Sequence, residues 1–164
     1  MKNLAFTLFL LPFLMSCSSG GKNSEKNILL VEKYIRAVEN LDYNTMTSLL
    51  DDNYQGLGPS YTDSINKEQA VAGWKDNVEN LYESIKYTRE QHGTVLIKEG
   101  YNKGEWVSSW AELNITYKNG EKVVIWANTA YKVEKGKIVK SFTFYNEADA
   151  LRQLGYVFIN PDNL

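Results

Sequence analysis

The stretch EWVSSWAELNITYKNGEKVVIWANTAYKVEKGKIVKSFTFY, residues 105–145, decides the fold. It is dense in Val, Ile, Thr, Tyr and Trp and alternates in part with a period of two, the pattern of β-strands whose successive side chains face opposite ways. Asn119-Gly120 is a hairpin signal, because tight two-residue turns need positive φ and these two residues tolerate it. Gly136 marks a second turn, and Asn102-Lys103-Gly104 a third. Residues 85–97, 105–117, 122–133 and 137–145 therefore read as four long strands. Short turns between consecutive strands imply antiparallel pairing.

Upstream the period changes. Ser24 is placed to cap a helix whose apolar residues, Leu30, Val31, Tyr34, Ile35 and Val38, fall on one stripe. Asp42 suits the cap of a second, shorter helix running to residue 50, with Met46, Leu49 and Leu50 inward and Asp51-Asp52-Asn53 ending it. Residues 54–61 contain Gly56, Gly58 and Pro59 and read as a short irregular strand and a loop. Asn66 and Gln69 form a capping box for a third helix, whose apolar face is Ala70, Val71, Trp74, Val78, Leu81 and Tyr82. Residues 147–154 read as a short closing helix stopped at Gly155. Helices first and strands afterwards make an α+β class. Long twisted strands curled over three helices would form a cone.

The first residues carry a different signal. Lys2 is followed by a nearly apolar run over residues 4–15, too short to span a bilayer and of the length of a signal-peptide core. Leu14-Met15-Ser16-Cys17 looks like a lipobox, so residues 1–16 read as a lipoprotein signal peptide and Cys17 as the lipidated residue. Cys17 is the only cysteine, which excludes an intramolecular disulfide. The small polar run after it makes residues 17–26 a tether and leaves residues 27–164 as the domain. The expected location is the bacterial cell envelope, on the outer-membrane or periplasmic side, with the membrane as a partner through lipid.

Removal of residues 1–16 leaves 148 of 164 residues, one domain by size, with formal charge moving from −2 to about −3 as Lys2 is lost. Lys and Arg are scattered, so no concentrated positive face is offered to nucleic acid. One histidine and no spare thiol argue against a metal centre, and no cofactor motif is present.

Three groups of residues carry a family resemblance. They are Val31-Glu32-Lys33-Tyr34-Ile35-Arg36-Ala37-Val38-Glu39-Asn40-Leu41-Asp42, then Asn66-Lys67-Glu68-Gln69-Ala70-Val71-Ala72-Gly73-Trp74, and Gly136-Lys137-Ile138-Val139 followed by Phe144-Tyr145-Asn146-Glu147 and Leu151-Arg152-Gln153-Leu154-Gly155. In order and spacing the chain resembles the SnoaL-like branch of the nuclear transport factor two-like superfamily over nearly all of residues 27–158. The resemblance implies a curved antiparallel sheet wrapped on helices, a cone with a cavity, and dimers formed through the outer face of the sheet. It also implies a choice of activities. Relatives include ketosteroid isomerases, scytalone dehydratase, limonene epoxide hydrolase and polyketide cyclases, while others only bind ligands or proteins, so the fold leaves the function open.

Acid–base chemistry in such a cavity needs a carboxylate or histidine base and an oxyanion donor. His92 is one candidate base, although its polar neighbours Arg89-Glu90-Gln91 suit a solvent-facing strand position. Glu112 is the other. It alternates with Trp106, Ser108, Trp110 and Asn114 on one strand face, and Trp126 and Asn128 alternate on the next. If these faces line the cavity, Glu112 is a base among tryptophans and Asn128 a donor. If they face outward, the tryptophans serve an interface between two copies, and Val107, Ala111, Leu113 and Ile115 form the core. Tyr34, Tyr54, Tyr61 and Trp74 lie toward the expected mouth, with Tyr145 and Asn146 at the end of the last strand. Relatives often carry an acid where Asn146 stands, and asparagine cannot act as a base. These features point to a binding domain for a small apolar ligand or a protein partner. An isomerase, dehydratase or cyclase and an envelope scaffold dimer remain as alternatives.

Overall fold

The computed structural model describes residues 21–160 and 162, so the signal peptide, residues 1–16, and the lipidation site Cys17 lie outside it. Helix α1 (Ser24–Glu39) buries Val31, Tyr34, Ile35 and Val38. It starts three residues inside the stretch read as tether. Asn23, not Ser24, holds the cap position, and its side chain makes no capping bond. The Ser24 hydroxyl instead lies 2.6 Å from that of Thr94, a tertiary partner that local sequence does not reveal. Helix α2 (Tyr43–Leu49) is capped by Asp42, whose carboxylate accepts the Thr45 N–H at 2.9 Å. Strand β1 (Leu50–Leu57) begins at once, because Leu50 pairs with Ile138 far along the chain.

Strand β2 (Ser64–Asn66) leads into helix α3 (Lys67–Asp76), where the Asn66–Gln69 capping box is fully formed. The third helix then differs from its sequence reading. It relaxes into a π-helical turn, Asn77–Leu81, which turns Leu81 outward, and β3 (Tyr82–Ile97) follows directly. Only Ala70 on α3 is buried. The helix therefore stands away from the sheet and leaves space beneath Trp74.

Strands β4 (Gly104–Tyr117), β5 (Lys122–Glu134) and β6 (Lys137–Tyr145) complete a single sheet in the order β2-β1-β6-β5-β4-β3, and helix α4 (Glu147–Gln153) closes the chain. The consecutive long strands pair antiparallel, as their turns require. Strand β1 alone runs parallel to its neighbour, β6. The sheet is curved and unclosed, and with its helices it forms an α+β cone.

The structure decides which face is inside. Val107, Ala111, Leu113 and Ile115 of β4 point to the helices with Val123 and Ile125 of β5, and all are buried. The alternate positions face outward, where Trp110 is 47% exposed, Trp126 61% and Phe144 56%. Trp106 shares that outer face but is covered, its ring 5.8 Å from Phe142 and its indole N–H donating to the Asn102 carbonyl at 2.7 Å.

Candidate functional site

Between α3, α4 and the inner face of the sheet lies a cavity of about 530 Å³. Its floor and walls are apolar: Ile85, Leu113, Ile115, Val123 and Ile125 come from the sheet, and Val38 from α1. Helix α3 contributes Gln69, Ala70, Gly73 and Trp74 to one side, and α4 contributes Ala150, Leu151 and Leu154 to another. A Cβ placed at Gly73 would meet nothing within 4 Å, so the helix is held off from the sheet at this point.

Seven of the chain's 11 tyrosines line this space: Tyr34, Tyr54, Tyr82, Tyr87, Tyr117, Tyr131 and Tyr145. Two pairs meet at steep angles, Tyr34 with Tyr131 (centroids 5.8 Å, 62°) and Tyr82 with Tyr117 (5.5 Å, 66°), the edge-to-face arrangement that aromatic quadrupoles favour. Tyr54 and Ser141 satisfy one another, their hydroxyl oxygens 2.7 Å apart in the buried interior. Among the described residues, the hydroxyls of Tyr82, Tyr87, Tyr117 and Tyr145 have no side-chain or backbone partner within hydrogen-bonding distance.

Burial in this apolar setting disfavours the phenolate, which is the first cause of every shift here. It holds Tyr34 and Tyr131 well above the usual tyrosine value, neighbouring phenols adding to the effect. Tyr82 is pushed up to about 12 by burial, with Tyr117 and Tyr145 contributing. Tyr145 is raised by burial and then by Glu147, Tyr117 and Asp63. At neutral pH the tyrosines are therefore uncharged groups able both to donate and to accept. Among the described residues, Glu147 is the only ionisable side chain other than tyrosine that lines the cavity, and it is exposed at the start of α4.

The sequence candidates divide cleanly. Tyr34, Tyr54, Trp74 and Tyr145 line the cavity. Trp110, Trp126 and Asn128 do not. They sit on the outer face, where Asn128 donates to the Ser108 hydroxyl at 2.9 Å and to the Ser109 carbonyl at 3.2 Å. Glu112 is also outside, accepting from Thr88 at 3.0 Å and lying 3.5 Å from the Arg89 guanidinium. It alternates with the buried, inward Ala111 and Leu113, so the pleat turns it away from the cavity.

His92 turns inward, contrary to its solvent-facing reading, yet it meets α1 and not the cavity. Its Nε2 is 3.7 Å from Glu90 and 3.9 Å from Glu32. Arg36 bridges Glu39 and Glu90 beside it, and Glu39 accepts the backbone N–H of Tyr87 at 2.8 Å. This knot ties α1 to β3. Asn146 caps α4, accepting the Asp149 N–H at 3.0 Å, and Tyr61 is fully exposed away from the lining. Among the described residues, no group of three or more His, Cys, Asp or Glu side chains is arranged to hold a metal ion, and no helix is long and apolar enough to cross a membrane.

Sequence reasoning missed Tyr82, Tyr87, Tyr117 and Tyr131 as cavity residues, together with Glu147. For Tyr87, Tyr117 and Tyr131 the available signal was their alternation with Ile85, Ile115 and Ile125, which places them on the same face once that face is known; Tyr82, at odd spacing from Ile85, and Glu147, on α4, carried no such signal.

No family model matches the sequence, and neither does any curated protein. The three-dimensional comparison does find relatives. A candidate polyketide cyclase from Xanthomonas campestris pv. campestris matches with a TM-score of 0.67 at 13% identity, over 81% of this chain and 99% of that one. A limonene-epoxide-hydrolase-like epoxide hydrolase from Mycobacterium tuberculosis matches with a TM-score of 0.62 at 15% identity, over 80% and 91%. A protein with a ketosteroid isomerase-like fold from Catenulispora acidiphila, determined in complex with trimethylamine, matches with a TM-score of 0.60 at 12% identity, over 78% and 93%. Identities this low establish a shared fold and carry no residue roles across.

Proposed function

We propose that this chain is a lipid-anchored protein of the bacterial cell envelope whose cone binds a small, mainly apolar molecule bearing polar groups. The observation that carries the reading is the cavity itself: about 530 Å³ of space walled by aliphatic side chains and neutral phenols. Concave, mostly apolar sites of this size with a few convergent polar groups are where small molecules bind. The unpartnered hydroxyls of Tyr82, Tyr87 and Tyr145 are groups that a ligand carbonyl or hydroxyl would satisfy. Native mass spectrometry of the full chain, purified gently from its membrane and then exposed to a metabolite extract, tests the binding. A retained small molecule, lost when Gly73→Phe fills the cavity, is the expected result, and no retained species would overturn it. The lipid anchor has its own test: Cys17→Ala should move the protein from the detergent phase to the aqueous phase, and an unchanged partition would remove the anchor.

A second reading, catalysis, is favoured by one position. Glu147 lines the cavity and stands immediately after Tyr145 and Asn146, so the lining carries a carboxylate next to a phenol in the chain. An isomerase, dehydratase or cyclase reaction would use Glu147 as base and a cavity tyrosine as donor. Glu112 and His92 have no access to the space. The candidate cyclase and the epoxide hydrolase that share the fold suggest carbonyl and epoxide compounds as first substrates. Turnover that survives Glu147→Gln would exclude this assignment.

The outer sheet face supports a further part of the reading, a homodimer. Trp110, Trp126 and Phe144 present exposed aromatic surface across neighbouring strands, a composition that suits an interface with a second copy.

A further inference from the structure

We infer that the cavity selects a ligand carrying an alkylated ammonium group, bound near Tyr145 and Glu147 at the mouth with its apolar remainder inside. The inference rests on the ligand-binding reading and narrows it to a chemical class. Its basis is the balance of charge around the space. Among the described residues the lining contains no Lys, Arg or His, and its single formal charge, Glu147, is negative. The surroundings repeat that sign. After burial, Glu147 and Asp63 both raise Tyr145, and Glu121 raises Tyr117.

The walls complement a cation in a second way. Seven tyrosines and Trp74 line the cavity, and the faces of such rings carry the negative part of the aromatic quadrupole. The Tyr34–Tyr131 and Tyr82–Tyr117 pairs are steeply inclined, so the ring planes around the space point in different directions. An anion would meet the Glu147 carboxylate and, among the described lining residues, no positive charge to offset it. A neutral guest gains from apolar contact and from the phenol hydroxyls, but not from the negative charge. A cation alone gains from the rings and from the carboxylates as well.

Alkylation matters because a primary ammonium is a compact, strongly hydrated charge that needs several acceptors to replace its water. The interior offers phenols and aliphatic walls, which suit a charge spread over methyl groups. The volume exceeds that of a trimethylammonium head, so an apolar chain can extend along Ile85, Leu113 and Ile125.

Isothermal titration calorimetry of the full chain with (6-hydroxyhexyl)trimethylammonium and with its uncharged carbon isostere, 7,7-dimethyloctan-1-ol, isolates the charge at nearly constant shape. The cation should bind at least tenfold more tightly, with the preference shrinking in Glu147→Gln and in high salt. Equal affinities, or a preference that keeps its full size in Glu147→Gln, would overturn the inference while leaving a binding cavity. Failure of both compounds to bind would overturn the inference together with the cavity reading beneath it.

Discussion

Tyr54 is a residue whose side chain serves the structure and the site together. Its ring lines the cavity, and its hydroxyl is held against Ser141 at 2.7 Å in a buried position. Tyr54→Phe leaves Ser141, 5% exposed, with a buried hydroxyl short of a partner, so urea unfolding should show a loss of about 1–3 kcal/mol. Adding Ser141→Ala should return part of that loss, since removing both partners is less costly than removing one. The other phenols set an alkaline limit. Their folded pKa values lie above the unfolded value of 10.0, so the unfolded chain releases protons first as pH rises. Stability from this source is complete below pH 10 and is lost above it, through about 12 for Tyr82. Ionisation of the cavity tyrosines should therefore appear together with unfolding above pH 10. A smooth titration of the cavity tyrosines near pH 10 in a folded protein would contradict this.

Helix α4 shows how an element is attached when it has little of its own to bury. It has seven residues and none is buried, so its position depends on its ends. Asn146 caps the start, and Gly155, at φ 84, closes a Schellman turn in which the Gly155 and Tyr156 N–H groups donate to the Arg152 and Leu151 carbonyls. The third attachment is Gln153. Strand β6 stops at Tyr145, opposite Ala127, and the earlier part of β5 is left without a strand on that side. The Gln153 amide pairs there with both backbone groups of Val124, each at 2.9 Å. Asn146→Ala should cost about 1 kcal/mol by the usual measure of a lost cap. Gln153→Ala should loosen the helix further. Because Ala150, Leu151 and Leu154 wall the cavity, both variants should weaken ligand binding more than they lower the unfolding midpoint. Hydrogen exchange confined to α4 would check the cause, and unchanged exchange there would rule it out.

At the scale of the whole molecule, the sheet has two aromatic faces with different surroundings. The inner one is lined by tyrosines around a cavity, whereas the outer one exposes tryptophan and phenylalanine to solvent. Arg89, at φ 53 in the irregular stretch between Thr88 and Gln91, reaches over Trp126 with its guanidinium 5.8 Å from the ring centre. A second copy seated on this face would bury Trp126, and placing a carboxylate there would replace that buried aromatic surface with a strongly hydrated charge. Trp126→Glu should accordingly give monomers by sedimentation velocity while ligand affinity stays as it was. A wild-type chain that is already monomeric at micromolar concentration would dispose of the dimer.

Much of this architecture was legible locally. Four long strands, the turns at Gly120 and Gly136, the Asp42 cap and the Asn66–Gln69 capping box follow from side chains acting on backbone a few residues away, and α+β follows from their order. Tertiary structure decided what depends on residues distant in the chain. Leu50 leaves its helix to pair in parallel with Ile138, and α3 unwinds into a π-turn before β3. Above all, it decided which face of the sheet is inside. Alternation sorts the side chains of a strand into two sets, but when both sets are rich in aromatics it does not say which set the helices cover. Packing of α1 against Val107 and Ile115 settled that, and with it Tyr87 and Tyr131 faced the cavity while Glu112 and Trp126 faced out.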